Sequence, residues 1–567
     1  MKKTFKRLGA VLLAAFMLLS TTICALADDN ADTPTTGQTI TLNVSGVSDG
    51  DTVYAYRLVE YNKDGNGYKF FDGDDTKKGF ETYIKSQTDI GDKTAEKYLA
   101  SLDAAGVNKL LEDYATECNK ANAQYKLPTA STTMVAANSK ATLNLEAGYY
   151  LLLTKTNSAN GRVYTPLSAF IQRDGDTLVV HAGDSTFTEQ DEYTIAAKSE
   201  NGPTIDKKTN ATKGDGKATW KETAAAGVGD IVRFYVAVNI PAYNNVSALN
   251  LTVNDTLTNL KYQEGSVKVY QNKPDPKGDN TSQTDIQKAI KKTTVGDYVS
   301  GKQDLKFELN YQEIMGENAS QSKTVYVYYE AIMQKEAVTG TNHQGENVAT
   351  LTYSNAVNPE SEYTTNKKET DVYTYYLQVN KKKGGQDASL KGAMFSVYTT
   401  EDSDEPLPFV KVSDGKTEYY RPAVGAEASS ASAVKKIEAD FQIRGLDANT
   451  YYLEEVETPK GYYAPTGRFK VELVSKLDEK NNDKHTGRLD GGTSKITAVK
   501  SEDANLIVPG TVLDTEKLHQ FNAGINNFST PNLPTTGGIG TVLLSIGGVV
   551  LMAAGAYLLF FRKKKEN

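Results

Sequence analysis

The sequence predicts a mainly β protein, three β-sandwich domains with a helical insertion in the first. Three observations carry that reading. Segments alternating Thr, Val and Tyr with other residues recur between Gly, Asn and Asp turns, the period-two pattern of strands with one buried face. Helical spacing of apolar residues is confined mainly to one stretch, between Lys93 and Asn122. And about 500 residues remain once the two ends are set aside, too many for one hydrophobic core and suited to three domains of ordinary size.

The ends set the compartment. Lys2, Lys3, Lys6 and Arg7 precede an apolar core from Leu8 to Leu19, and Ala25, Leu26 and Ala27 offer a small-x-small cleavage site. Residues 1–27 therefore read as a secretory signal peptide. At the other end stand Leu533, Pro534, Thr535, Thr536 and Gly537, then 23 apolar and small residues from Ile539 to Phe561, then Arg562, Lys563, Lys564 and Lys565. A helix of that length crosses a hydrocarbon core of roughly 30 Å. The basic cluster stays on the cytoplasmic side, so everything before Leu533 is exported.

The pentapeptide, the apolar run and the basic tail, in that order, resemble the LPxTG cell-wall sorting signal of Gram-positive surface proteins, here residues 531–567. The resemblance implies a chemistry. A sortase, a cysteine transpeptidase, attacks the carbonyl of Thr536, releases the chain from Gly537 onward, and holds the rest as a thioester until an amine resolves it. Pro534 keeps the segment extended for an active-site groove.

Removing the leader takes away four basic residues and removing the tail a net three, so the charge of -8 becomes -15. That disfavours nucleic acid or an anionic membrane as a partner. Only Cys118 survives maturation, so no intramolecular disulfide is available to this exported chain. Cys118 reads as a buried, unreactive thiol. The histidines, His181, His343, His485 and His519, stand in no metal-ligand spacing. The acidic turns at 72–75 and 62–67 read as solvated turns and not as calcium loops. No nucleophile and base stand together, so no enzyme, metal or cofactor is expected.

The first domain, 28–198, opens on a strand at 40–44. Its helical stretch carries Tyr98, Leu99, Leu102, Leu110, Leu111 and Tyr114, with a break expected at Gly106. A later strand at 148–153 resembles one in pilin N-terminal domains. No cross-linking trio is assigned there. Polar, turn-rich joints follow at 199–203, 358–362 and 529–532. They bound a middle domain, 199–370, with strands at 233–238 and 324–329, and a last domain, 371–530, with a strand at 395–398.

In the last domain, Val379, Asn380 and Lys381, followed by residues 390–398, resemble the opening of a Cna B-type domain, an immunoglobulin-like sandwich of wall-anchored adhesins and pilins. Residues 452–462, with Thr458 where alanine is usual, resemble the pilin E-box, and Ile525, Asn526 and Asn527 resemble the last strand. Such domains join a first-strand lysine to a last-strand asparagine by an isopeptide bond, assisted by the E-box glutamate. Strand parity can be tested against this. Leu377, Val379 and Lys381 share one face, as do Leu453 with Glu455 and Ile525 with Asn527. Lys382, Glu454 and Asn526 fall on the other. Burial suits the chemistry, because low dielectric favours a neutral amine and a protonated acid.

In the middle domain, Lys207, Asp255 and the segments around them resemble the Cna A-type domains of the same proteins, which use a lysine, an aspartate and a late asparagine. Ile205 shares parity with Lys207, and Leu251 and Val253 with Asp255. Asn347 and Asn355 share parity with the same apolar residues, so periodicity does not choose between them. The asparagine-x-alanine pattern of related domains favours Asn347.

Backbone pilins present a lysine at the end of the first domain, in a tyrosine-proline-lysine-asparagine type of motif. Here the matching position is Lys198, without that proline or asparagine. Ile195 and Ala197 share a face and Lys198 lies on the other, toward solvent. Together the resemblances imply a sortase-assembled backbone pilin. Its Lys198 would join Thr536 of the next subunit, with intramolecular bonds at Lys381–Asn527 and Lys207–Asn347. Its partners would be a pilus sortase, a housekeeping sortase, other copies of itself, tip and minor pilins, and peptidoglycan. The alternative is a monomeric wall-anchored adhesin that binds a host protein or glycan.

Overall fold

The structure is a computed structural model of the chain. It describes residues 38–558 except 63–66, 121, 158–160, 175–176, 183–184, 188–191, 212–218, 244–247, 287, 317–320, 339–343, 414, 416, 482–483, 516–517 and 531–546. The leader at 1–27 and the pentapeptide from Leu533 to Gly537 lie outside the described residues. The chain divides into two compact units. One holds the residues up to Tyr373 with Leu477–Gly487, and the other holds Thr374–Lys476 and the residues from Arg488 onward. The architecture is mainly β, as expected.

In the first domain a three-stranded sheet, Glu192–Ala196, Ile40–Ser45 and Lys140–Leu145, faces a larger sheet centred on Thr52–Asn62, Gly148–Lys155 and Leu167–Asp174. The strand Gly148–Lys155 is apolar at both parities because both faces of its sheet are covered. Tyr150 and Leu152 belong to the core between the sheets. Tyr149, Leu151 and Leu153 belong to a second core, under the helices.

Those helices are α1 (Phe80–Lys85), α2 (Ala95–Ser101) and α3 (Ala104–Cys118). The sequence missed α1, which is too short for its period to register. The expected break at Gly106 is corrected: the chain breaks at Leu102 and Asp103. Asp103 is the N-cap of α3, and its carboxylate accepts the backbone N–H of Gly106 at 2.8 Å. Gly106 sits in the first turn of a helix and interrupts nothing.

The middle domain is a two-sheet sandwich. One sheet runs Thr204–Ala211, Ile231–Ile240, Lys323–Met333, Leu260–Tyr262. The other runs Thr223–Ala225, Lys368–Tyr373, Gln344–Asn355, Leu249–Thr258, Lys302–Asn310, Ile290–Val295. The core between them is drawn from alternate residues, among them Val232, Phe234, Val236 and Val238 on one side and Leu251, Val253, Ala349 and Leu351 on the other.

The joint expected at 358–362 is instead part of a strand, Asn358–Thr364, paired with Gln344–Asn355. Asn358 there donates its amide to Thr154 O at 3.1 Å, and Asn355 to Tyr164 O at 2.9 Å, so this hairpin docks on the first domain. Gly202 is needed at the same junction, because a Cβ there would lie 1.6 Å from the Tyr353 hydroxyl.

The last domain pairs Tyr375–Lys383 with Leu518–Asn527 in parallel and with Phe441–Leu446 antiparallel. A second sheet contains Met394–Tyr398, Thr450–Glu457 and Phe469–Glu472. A parallel pair cannot be closed by a tight turn. The domain's first and last long strands are brought side by side only when the whole domain folds. Beyond it, residues 547–558 are helical. Among the described residues no helix is long and apolar enough to cross a membrane. The span expected from Ile539 to Phe561 extends outside them on both sides.

Candidate functional site

Two lysines are buried among the described residues, Lys207 and Lys381, and each heads a cluster. In the last domain Lys381 lies on Tyr375–Lys383 with Leu377 and Val379 on the same buried face. Its Nζ donates to Asn527 Oδ1 at 2.5 Å and to Glu455 Oε2 at 2.8 Å. The triangle closes with Asn527 Nδ2 donating to Glu455 Oε1 at 2.7 Å. The side chains of Lys381 and Glu455 have no exposure. Lysine and asparagine sit on adjacent strands of one sheet, and the glutamate reaches across from the facing sheet. The ring of Phe395 lies 5.5 Å from the ammonium. Burial lowers the Lys381 pKa, opposed in part by the charge of Glu455. The alternative faces are solvent-side: Lys382 pairs with exposed Asp387, and Glu454 with Arg468.

The middle domain arranges the same elements differently. Lys207 Nζ donates to Asp255 Oδ2 at 2.5 Å and to the Tyr329 hydroxyl at 2.7 Å. Tyr329 Oη donates to Asp255 Oδ2 at 2.6 Å and accepts from Asn347 Nδ2 at 2.9 Å. Here Asp255 and Asn347 share a sheet, on strands whose register pairs Asp255 with Ala349 and Leu257 with Asn347. Lys207 and Tyr329 come from the facing sheet. All four are buried. Asp255 Oδ1 and Asn347 Oδ1 are buried without a hydrogen-bond partner. Burial lowers the Lys207 pKa, with Asp255 opposing it.

The structure therefore brings Lys381, Glu455 and Asn527 together, and Lys207, Asp255 and Asn347 together. Asn355 is not in the cluster. Its amide is spent on Tyr164 O, and its Oδ1 accepts from Val357 N at 3.0 Å. Sequence reasoning missed Tyr329. The signal was present, since it shares parity with Val325 and Val327 on a core face, and a buried phenol needs a polar partner. It also missed Asp440, whose carboxylate accepts the Lys381 N–H at 2.6 Å and pins that strand.

A nitrogen nucleophile held against a carboxamide and a carboxyl, all away from water, is suited to amide exchange. Neutral amine adds to the amide carbon, the acid manages protons, and ammonia leaves.

Lys198 stands apart from both clusters. It follows the strand Glu192–Ala196 and is exposed, while its backbone carbonyl accepts Thr165 N at 2.9 Å. In the first domain no lysine is buried among the described residues. Cys118 is partly buried, and burial pushes its thiol up to about 12. The Asp74 carboxylate accepts from Thr76 and Lys77 of its own turn and pairs with Lys126 at 2.7 Å. The turn at 62–67 lies largely outside the described residues. Three carboxyls that the sequence did not single out, Glu346, Glu369 and Asp371, have oxygens within 4.8 Å of one another. Burial, then Glu369 and Glu346, push Asp371 up to about 7.

Two family models match the chain. The LPXTG cell wall anchor motif matches residues 529–567, and a prealbumin-like fold domain matches residues 376–502. The first makes this a wall-anchored surface protein. Over 97% of its length the chain is 23% identical to the trypsin-resistant surface T6 protein of Streptococcus pyogenes, of which it covers 99%. It is similar to the solved T6 backbone pilin of serotype M6 S. pyogenes, at 16% identity and a TM-score of 0.47, over 88% of this chain and 100% of that one. It is also similar to the major pilin SpaD of Corynebacterium diphtheriae, at 16% identity and a TM-score of 0.41, over 88% of this chain and 99% of that one.

Proposed function

We propose that this protein is the backbone subunit of a covalently polymerised, wall-anchored pilus, stiffened by two intramolecular lysine–asparagine bonds. The observation that carries the reading is the pair of buried lysine–acid–asparagine clusters, one in each of two successive domains of an exported chain that ends in a wall-anchor motif. The near full-length likeness to a streptococcal surface protein supports it. The protein is a structural subunit and a substrate of sortase. A pilus sortase joins Thr536 of one copy to Lys198 of another, and a housekeeping sortase transfers the finished polymer to peptidoglycan. Tip and minor pilins complete the fibre. Exposure of Lys198 supports the first of these roles, just as burial of Lys207 and Lys381 supports theirs.

The internal bonds form without an enzyme, driven by the acids beside each lysine. Each closes a loop of some 140 residues. By the chain-entropy argument used for disulfides, such a closure contributes about 5 kcal/mol, and it does not depend on redox state.

A boiled wall extract tests the assembly. A high-mass ladder on a denaturing gel, lost in Lys198→Ala, is the expected result. A single monomer band from the native strain would leave a solitary adhesin.

A further inference from the structure

We propose that Tyr329 is a catalytic residue of the middle-domain cross-link, relaying a proton between the attacking and the leaving nitrogen. The proposal rests on the lysine–asparagine bond argued above and adds a participant to it.

The two clusters differ in what their acid can reach. In the last domain one carboxyl serves both nitrogens, with Oε2 of Glu455 2.8 Å from Lys381 Nζ and Oε1 2.7 Å from Asn527 Nδ2. In the middle domain the acid is an aspartate, one methylene shorter. Its Oδ2 takes Lys207 Nζ at 2.5 Å, and its Oδ1 meets nothing. The nitrogen that must leave, Asn347 Nδ2, is instead held by the Tyr329 hydroxyl at 2.9 Å. That same oxygen is 2.7 Å from Lys207 Nζ and 2.6 Å from Asp255 Oδ2. One hydroxyl touches the nucleophile, the leaving group and the acid.

The protons balance through it. An ammonium and a carboxamide bring five N–H hydrogens; the product amide keeps one and ammonium carries away four. Lys207 Nζ first gives a proton to Asp255, and the neutral nitrogen adds to Cγ of Asn347. Tyr329 Oη then takes a second proton from Nζ while passing its own to Nδ2. The Cγ–Nδ2 bond breaks, and the departing ammonia collects the proton held by Asp255. No oxidant, reductant or water is consumed. Burial and the neighbouring carboxylate push the Tyr329 phenol well above its ordinary value, so the relay works through neutral hydroxyl and not through phenolate.

Tyr329→Phe removes the hydroxyl and keeps the ring, with its neighbours Phe234 and Phe307 at 5.6 and 5.3 Å between centroids. Intact mass is followed over time after refolding of the exported part of the chain. Wild type is expected to lose about 34 Da, about 17 Da for each ammonia. The variant is expected to lose about 17 Da at the wild-type rate, from the last domain, with the middle bond slowed by roughly 10²-fold or more. A variant that loses the full mass of about 34 Da at the wild-type rate overturns the relay and leaves the cross-link standing. No deficit in wild type overturns the cross-link itself. Should the phenylalanine variant not fold, 3-fluorotyrosine placed at position 329 alone keeps the shape and acidifies the phenol. A relay then changes the rate of the middle bond only, and an unchanged rate overturns it.

Discussion

Lys381 and Asn527 meet across two parallel strands, Nζ to Oδ1 at 2.5 Å, with Lys381 in register with Ile525 and the pair 146 residues apart along the chain. Neither residue has any exposure. A bond there ties the first long strand of the last domain to its last one within a single sheet. In the middle domain Lys207 and Asn347 belong to facing sheets, so a bond there ties the sandwich together across its core.

Lysine truncations report each bond separately. In the exported chain, Lys207→Ala and Lys381→Ala should each restore about 17 Da to the intact mass, apart from the substitution itself, and the double variant about 34 Da. Each should lower the melting temperature of its own domain by roughly 10–20 °C, from a loss near 5 kcal/mol. Differential scanning calorimetry reads this, and unchanged melting would deny the bonds a structural role.

The two asparagines of one strand should behave differently. Asn347→Ala removes the middle bond and its mass deficit. Asn355→Ala keeps the deficit and loosens the hairpin's docking on Tyr164, by about 1 kcal/mol for one buried hydrogen bond. Peptide mapping that finds the cross-link at Asn355 would overturn the assignment.

Glu455→Ala should abolish the last-domain bond and leave Lys381 buried beside an intact asparagine. A buried amine stripped of its acid costs roughly 3–5 kcal/mol. The expected outcome is an unshifted mass for that domain together with a lowered denaturation midpoint. Normal bond formation in this variant would remove Glu455 from the mechanism.

Asp371 predicts a pH dependence. Its folded-state pKa, about 7, lies above the ordinary value of 3.8. Between those values the folded state binds the proton more tightly, so stability falls as pH rises from about 4 to 7 and then levels. Asp371→Asn should keep the hydrogen bond from Gln344 Nε2 and remove the repulsion from Glu346 and Glu369. It should be the more stable form at pH 8, by up to a few kcal/mol, and lose that advantage below about pH 4. Thermal melts at the two pH values decide this, and an advantage independent of pH would sink the account.

Much of this was legible in the sequence because strand parity is a local rule. Val379 buried and Lys381 two residues on put the ammonium in the core, whatever the fold around it. The same rule separated Lys207 from Lys208 and Asp255 from Asn254. It failed where parity was shared, at Asn347 and Asn355, since a strand's face does not say which end of the sandwich a residue reaches. Two other readings failed for other reasons: at residues 358–362 turn-forming composition belonged to a strand, and at Gly106 helical spacing placed a break that the cap on Asp103 sets.

By itself, then, the sequence determined the wall-anchor motif, the mainly β class and the burial of the two lysines, all of which follow from composition, order and period. Only the tertiary structure decided who meets whom. Tyr329 is 122 residues from Lys207 along the chain and 74 from Asp255, yet its hydroxyl lies within 2.7 Å of both. Contacts of that kind are set by the register of paired strands and by which sheet faces which, and no local pattern encodes either.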